Sequence, residues 1–239
     1  MMILEENQSA ISRQHSTMLD IFVAPAQRLF SLVANPDWKT ASAVTSVLLI
    51  FATLLSQPAM DTLHRLIQQN ILGRLSGTDL EQARAAFNAV SPWHFVLPSL
   101  ASLLGNWLAW AALALIFRAL GAAPKKAWAA AANAAVIAAT AQLMNAILIV
   151  IHGTSGITTR MDLNAIPSPA MLVSGDYFLG TFLFALNPLN IWFFVVVAMA
   201  VNIVSRKSKG VAVAVAGTIG VTYAFAAAIA VQMVPMMFL

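Results

Sequence analysis

Sixty per cent of the 239 residues are hydrophobic and nine per cent are charged, whereas a soluble domain carries about 25% charged residues. Surface that apolar cannot be hidden inside a globule of this size, so an ordinary water-soluble fold is excluded and lipid is the implied solvent. A net charge of +4 invites a nucleic-acid reading, but the thirteen Lys and Arg residues fall in short clusters between apolar runs, which fits membrane topology and argues against a nucleic-acid partner.

Residues 1–39 form a polar cytoplasmic arm that holds Glu5, Glu6, Arg13, Asp20, Arg28, Asp37 and Lys39. No apolar core with a small-residue cleavage site precedes the first long run, so no cleaved signal peptide is expected. Within the arm Leu19, Phe22, Val23, Ala26, Leu29, Phe30 and Val33 follow helical spacing. Pro25 should break or restart that helix. The segment therefore reads as an amphipathic helix lying in the inner headgroup layer.

Residues 40–239 read as a transmembrane domain. A hydrocarbon layer about 30 Å thick needs about 20 helical residues, and the uncharged runs supply five candidates: Thr40–Gln57, Val96–Phe117, Ala127–Ile151, Phe182–Val204 and Val211–Val234. Their continuous apolar character, rich in Ala, Leu and Met, favours helices over barrel strands. The fold class expected is an all-α, polytopic bundle of five spans. With the N-terminus cytoplasmic, nine of the thirteen Lys and Arg fall on the inner side and four in two longer outer loops. Lys125 and Lys126, like Arg206, Lys207 and Lys209, sit in short inner loops, which supports N-terminus in and C-terminus out.

The first outer loop should carry two short amphipathic helices. Leu63, Leu66, Ile67 and Ile71 line the first; the second opens at Thr78 with Glu81 placed for a capping box, and Leu80, Ala83, Phe87 and Val90 follow on one side. The second outer loop, His152 to about Thr181, holds Pro167 and Pro169 and reads as irregular. A weak echo between Asn106-Trp107 and Asn190-Ile191-Trp192 hints at a parallel repeat of two hairpins, though any two hairpins joined on the inner side share lysines.

The spans contain no Asp, Glu, Lys or Arg at depth. Such charges mark proton- and ion-coupled carriers and intramembrane aspartyl proteases, so their absence argues against both. The deep polar candidates are amides: Asn133, Gln142, Asn145 and Asn202, with Gln232 beside them and Asn106, Asn187 and Asn190 nearer the outer surface. They read either as a polar pathway or, preferably, as interhelical hydrogen bonds worth about 0.6–2 kcal/mol each. Alanine crowds the third span, and Gly210, Gly217 and Gly220 mark the fifth, so these two should sit centrally.

No catalytic centre is legible. Gly153-Thr154-Ser155-Gly156 resembles the serine motif of rhomboid proteases, but no histidine follows His152 to activate the serine. His64, His94 and His152, with Asp61, Asp162 and Asp176, lack ligand spacing on one helix, so no metal is expected. No Gly-rich phosphate loop or dinucleotide fingerprint occurs, and no cofactor is expected. The chain has no cysteine, which removes disulfides and thiolate chemistry. Trp38, Trp93, Trp107 and Trp192 read as headgroup anchors.

The stretch Ile21 to Leu32, with Asn35-Pro36-Asp37-Trp38, resembles the opening of the Yip-domain family of membrane proteins, named for interaction with Ypt/Rab GTPases. Pro25, Phe30, Pro36 and Trp38 match that opening, and Arg28 lies within it. The run Leu186-Asn187-Pro188-Leu189-Asn190-Ile191-Trp192 resembles the second hallmark of the family, which often has aspartate at the place of Asn187 and a later glycine where this chain has Ala198-Met199-Ala200-Val201. The resemblance implies five spans, no enzymatic activity, and candidate partner- or membrane-interface residues Pro25, Arg28, Phe30, Pro36, Trp38, Asn187, Pro188 and Trp192. Some bacterial relatives accompany ABC-type exporters, and the high alanine content and short loops read as bacterial, so a bacterial inner membrane is expected. The function expected is an accessory, scaffold or partner-binding subunit in contact with lipid and another membrane protein. The alternative is a small transporter or channel with a pathway lined by buried amides.

Overall fold

The computed structural model describes residues 17–88, 93–173 and 177–233. Glu5, Glu6, Arg13, Val90, Asp176 and Val234 lie outside the described residues, as do the side chains of Ala83, Phe87, Trp93, His94 and Gln232. In chain order the helices are α1 (Asp20–Val23), α2 (Pro25–Ala34), α3 (Lys39–Leu72), α4 (Gly77–Asn88), α5 (Trp93–Ala119), α6 (Pro124–His152), α7 (Tyr177–Phe184), α8 (Pro188–Ile203) and α9 (Lys209–Met233); two 3-10 turns, Arg160–Leu163 and Pro169–Leu172, lie between α6 and α7. No strand occurs among the described residues.

The protein is all-helical, with several helices suited to a membrane. Three, Lys39–Leu72, Pro124–His152 and Lys209–Ile229, are long and apolar enough to cross one, and the bent α7–α8 pair brings the number to four; Leu103–Ala119 in α5 is a shorter apolar stretch. Successive long helices run antiparallel. At one end, here the arm end, α3 and α9 begin with Lys39 and Lys209, α5 closes with Arg118, and α6 opens with Lys125 and Lys126 in its first turn. The Ser205 hydroxyl donates to Phe117 O across that end and ties the α8–α9 turn to the close of α5.

α6 is the central helix. Its alanines, among them Ala129, Ala130, Ala131, Ala132 and Ala134, are buried, and it packs on α3, α5 and α8. Without a hydrophobic driving force between helices in lipid, close backbone approach at small residues supplies van der Waals contact instead. α9 was expected to be equally central but is peripheral, packing mainly against α8 and α7. It buries Ala212, Ala216, Ala224 and Ala228, and a Cβ added at Gly220 would meet the Phe194 ring at 3.3 Å. Gly210 and Gly217 face open space.

Three other expectations need correction. The first span does not end at Gln57. α3 continues through Pro58 for 34 residues, roughly 51 Å, and takes in the segment read as a separate loop helix. Ala59 and Leu63 stay in helical register and bury with Ile149 and Ile157, with Ile67 packed alongside, so one stripe continues without a reason to turn. α4 is the separate helix of that loop. Its first turn includes Thr78, which is therefore inside the helix and not its cap. A reciprocal capping box does form at Thr159 and Asp162 in the second loop.

The arm also differs from the expected interfacial helix. Pro25 does restart it, at the first residue of α2, but the apolar face splits. Ile21, Leu29 and Leu32 enter the main core with Phe117 and the alanines of α6. Leu19, Val23 and Phe30 remain exposed. Arg28, outside the expected apolar set, is buried as well, because the arm docks against α6 and α8.

Finally, the fourth run is not one straight helix. Phe178–Phe184 and Pro188–Ile203 meet at 58°. Pro188 has no N–H and disfavours the helical conformation at the residue before it, and Asn187 is extended, with φ −65° and ψ 154°.

Candidate functional site

The amides singled out in the sequence serve three different places. At the arm end, Asn133 is fully buried. Its Oδ1 accepts from Arg28 Nε at 3.0 Å, and its Nδ2 donates to Asp37 O at 3.2 Å and Ala129 O at 2.9 Å. A single α6 side chain thus clamps α2 and the approach to α3. Burial lowers the Arg28 pKa from its ordinary value, while the carboxylates of Asp37 and Asp20 act the other way. Asn202, near the end of α8, donates to Lys207 O at 2.7 Å and secures the turn into α9.

At the opposite, loop end, Asn145 holds the second loop in place. Its Nδ2 donates to Leu163 O at 2.7 Å, and its Oδ1 accepts from Ala165 N and Ile166 N at 2.8 and 3.2 Å. The loop is further tightened by Asp162, whose carboxylate accepts from the amides and hydroxyls of Thr158 and Thr159. Partial burial works to raise the Asp162 pKa, but these four donors outweigh it and hold the carboxyl below its ordinary value of 3.8.

The third place is a half-open cleft of about 370 Å³ between α3, α6 and the α7–α8 break. Thr53, Ser56, Gln57 and Asp61 reach it from α3, at the three–four spacing that keeps residues on one helical face. Gln142 and Asn145 face them from α6, and Asn187, Asn190 and Tyr223 complete the wall. Gln142 is exposed, not buried as expected, and its Nε2 donates to Asn106 Oδ1 at 3.1 Å. A second cavity of about 290 Å³ adjoins the first and shares Met60, His64 and Phe184 with it. Asn187 shapes the break: Oδ1 accepts from Leu189 N and Asn190 N, and Nδ2 donates to Phe184 O. Asparagine is well suited to this N-cap position, where it satisfies amides that lack intrahelical partners.

The remaining sequence candidates do not converge. Pro25 and Phe30 lie on α2, and Pro36 is in the turn before α3. Trp38 joins a tryptophan cluster, with its ring 6.4 Å from Trp110, which also stacks edge-on against Trp107 and Trp128 at 4.6 and 5.4 Å. Trp107, twelve positions before the end of α5 at Ala119, is roughly 18 Å from that end and donates to Ser46 Oγ; it is not at a helix terminus. Trp192 lies in the second turn of α8, and its buried Nε1 meets no acceptor among the described residues. Among the described residues no three His, Asp or Glu side chains gather closely enough to share a metal.

Sequence reading overlooked the polar face of α3. Thr53, Ser56 and Gln57 fall in the first expected span and Asp61 in the loop after it, which divides a face whose three–four spacing is legible in the sequence. The chain matches no family model, and neither a curated protein nor a solved structure shows significant similarity to it.

Proposed function

We propose that this chain is a five-pass membrane protein, N-terminus cytoplasmic and C-terminus outside, that acts as a non-enzymatic, partner-binding subunit of a bacterial inner-membrane complex. The five passes count α5 and the bent α7–α8 pair with the three long helices. Supporting this orientation, the arm end carries Lys39, Arg118, Lys125, Lys126, Arg206, Lys207 and Lys209, as the positive-inside rule requires of a cytoplasmic face. The motif resemblance to Yip-domain proteins points the same way, and an ABC-type exporter is the partner it suggests.

The observation that carries the partner-binding reading is the uncovered side of α9. Gly210, Ala214, Gly217 and Val221 share one exposed face, and no described residue lies within 4 Å of a Cβ added at Gly210 or Gly217. Helix interfaces in lipid are built on such faces. Mild detergent extraction should bring down a stoichiometric membrane partner, and Gly217→Leu should release it without lowering the thermal stability of the isolated chain. Purification of the wild type always alone, or reporter fusions placing Lys125 and Lys207 on opposite sides of the membrane, would rule the reading out.

The cleft favours a second reading, a small transporter or channel, because transporters place substrate sites where membrane helices are interrupted. Reconstituted vesicles with no substrate-dependent flux, and Asn145 and Asn202 replaceable by Leu without phenotype, would remove it.

A further inference from the structure

We propose that the cleft beside Asp61 is a binding site for an ammonium group carried on a compact body, entering from the loop end of the bundle. Three features select this chemistry. First, among the described lining residues Asp61 brings the one carboxylate and no Lys or Arg occurs, the nearest basic group of the lining being the imidazole of His64 one turn further along α3. Asp61 lies roughly 33 Å along the α3 axis from Lys39, at the edge of a hydrocarbon layer about 30 Å thick. A carboxylate there, against low-dielectric walls, attracts a cation more strongly than one in open water.

Second, the fixed hydrogen bonds leave acceptors facing the cleft. The hydroxyls of Thr53 and Ser56 donate to Leu49 O and Ala52 O of their own helix, both at 2.8 Å, so lone pairs are what they offer a ligand. Gln142 has already given an N–H to Asn106. Asn145 and Asn187 have their amide groups committed to the protein backbone. With the Asp61 carboxylate beside them, these acceptors suit a ligand rich in N–H donors.

Third, Phe184 and Tyr223 contribute aromatic rings to the wall, and ring faces attract cations. The volume of about 370 Å³ equals about a dozen waters at about 30 Å³ each, which suits an amine of about that many heavy atoms. Both a free amine and the headgroup of an ethanolamine lipid carry this chemistry. The site stands apart from the α9 face, so loss of a protein partner would not remove it; only its access from outside rests on the orientation proposed above.

The test uses the full chain in detergent, titrated with ethylammonium chloride against sodium chloride of equal ionic strength and followed by thermal shift. In parallel, native mass spectrometry after reconstitution compares ethanolamine with glycerol phospholipids. Expected is saturable stabilisation by ethylammonium, or selective retention of ethanolamine lipid, the two arms separating the sources. Asp61→Asn should weaken either at least tenfold, Asp61→Glu should keep binding within a few-fold, and Asp79→Asn, on exposed α4, should change nothing. Should Asp61→Asn fail to fold, Ala138→Leu, which fills the cleft and leaves the charge, should abolish binding. Stabilisation by acetate in place of ethylammonium, equal binding by Asp61→Asn, or no saturable effect in either arm would overturn the proposal.

Discussion

Arg28 Nε donates to Asn133 Oδ1 at 3.0 Å across 105 positions of sequence, and both residues are buried. This contact turns the N-terminal arm into part of the bundle. The Asn133 amide faces three partners on two other segments and its own helix, so no other side chain at that position could replace all of them.

Asn133→Leu should therefore destabilise the protein by about 1.5–3 kcal/mol, because a hydrogen bond to a buried charged group is lost and the guanidinium keeps its desolvation cost. The double variant Arg28→Met, Asn133→Leu should be less damaged than Asn133→Leu alone, since replacing both members of a buried polar pair removes the guanidinium together with the acceptor it lost. Thermal unfolding in detergent, read as a double-mutant cycle, measures both. Additive losses would show that the pair is not coupled.

The bend at Asn187-Pro188 should depend on the proline. Pro188→Ala restores an N–H and permits helical backbone at Asn187. Spin labels at Leu179 and Val195, both partly exposed, should then move apart toward the roughly 24 Å of a continuous helix. An unchanged distance would mean that packing, not local sequence, sets the angle.

Trp192 and Trp110 make a contrasting pair. Trp110 Nε1 donates to Trp128 O at 3.3 Å, whereas the buried Trp192 Nε1 meets no acceptor among the described residues. Trp110→Phe should cost about 0.5–1.5 kcal/mol for the lost hydrogen bond. Trp192→Phe should leave stability unchanged or raise it, because it removes an unmet donor. A larger loss for Trp192→Phe in chemical or thermal denaturation would refute this.

Asp162 should make the second loop acid-sensitive. Its folded pKa is below the ordinary 3.8, so its contribution is present above about pH 3.8 and fades as pH falls through the lower folded value. Hydrogen exchange over residues 158–166, normalised to intrinsic rates, should rise below about pH 3.8 in the wild type. In Asp162→Asn it should be raised at neutral pH as well, with little further acid dependence.

Composition and run length alone gave the helical, lipid-solvated character, because backbone groups in hydrocarbon must be satisfied within the segment. The break at Pro25 and the centrality of the alanine-rich α6 were also legible, since a missing N–H and a missing side chain act locally. The partners of Asn133, Asn145 and Asn187 were not: an amide specifies that it needs hydrogen bonds but not where they come from. The same is true of α3, whose Thr53–Asp61 face is polar in either setting and lines a cleft only because the α7–α8 bend and Gln142 stand opposite it. Tertiary packing also decided which side of the arm was buried, choosing Arg28 over Phe30, because the acceptor that accommodates a guanidinium sits on a helix more than a hundred residues away.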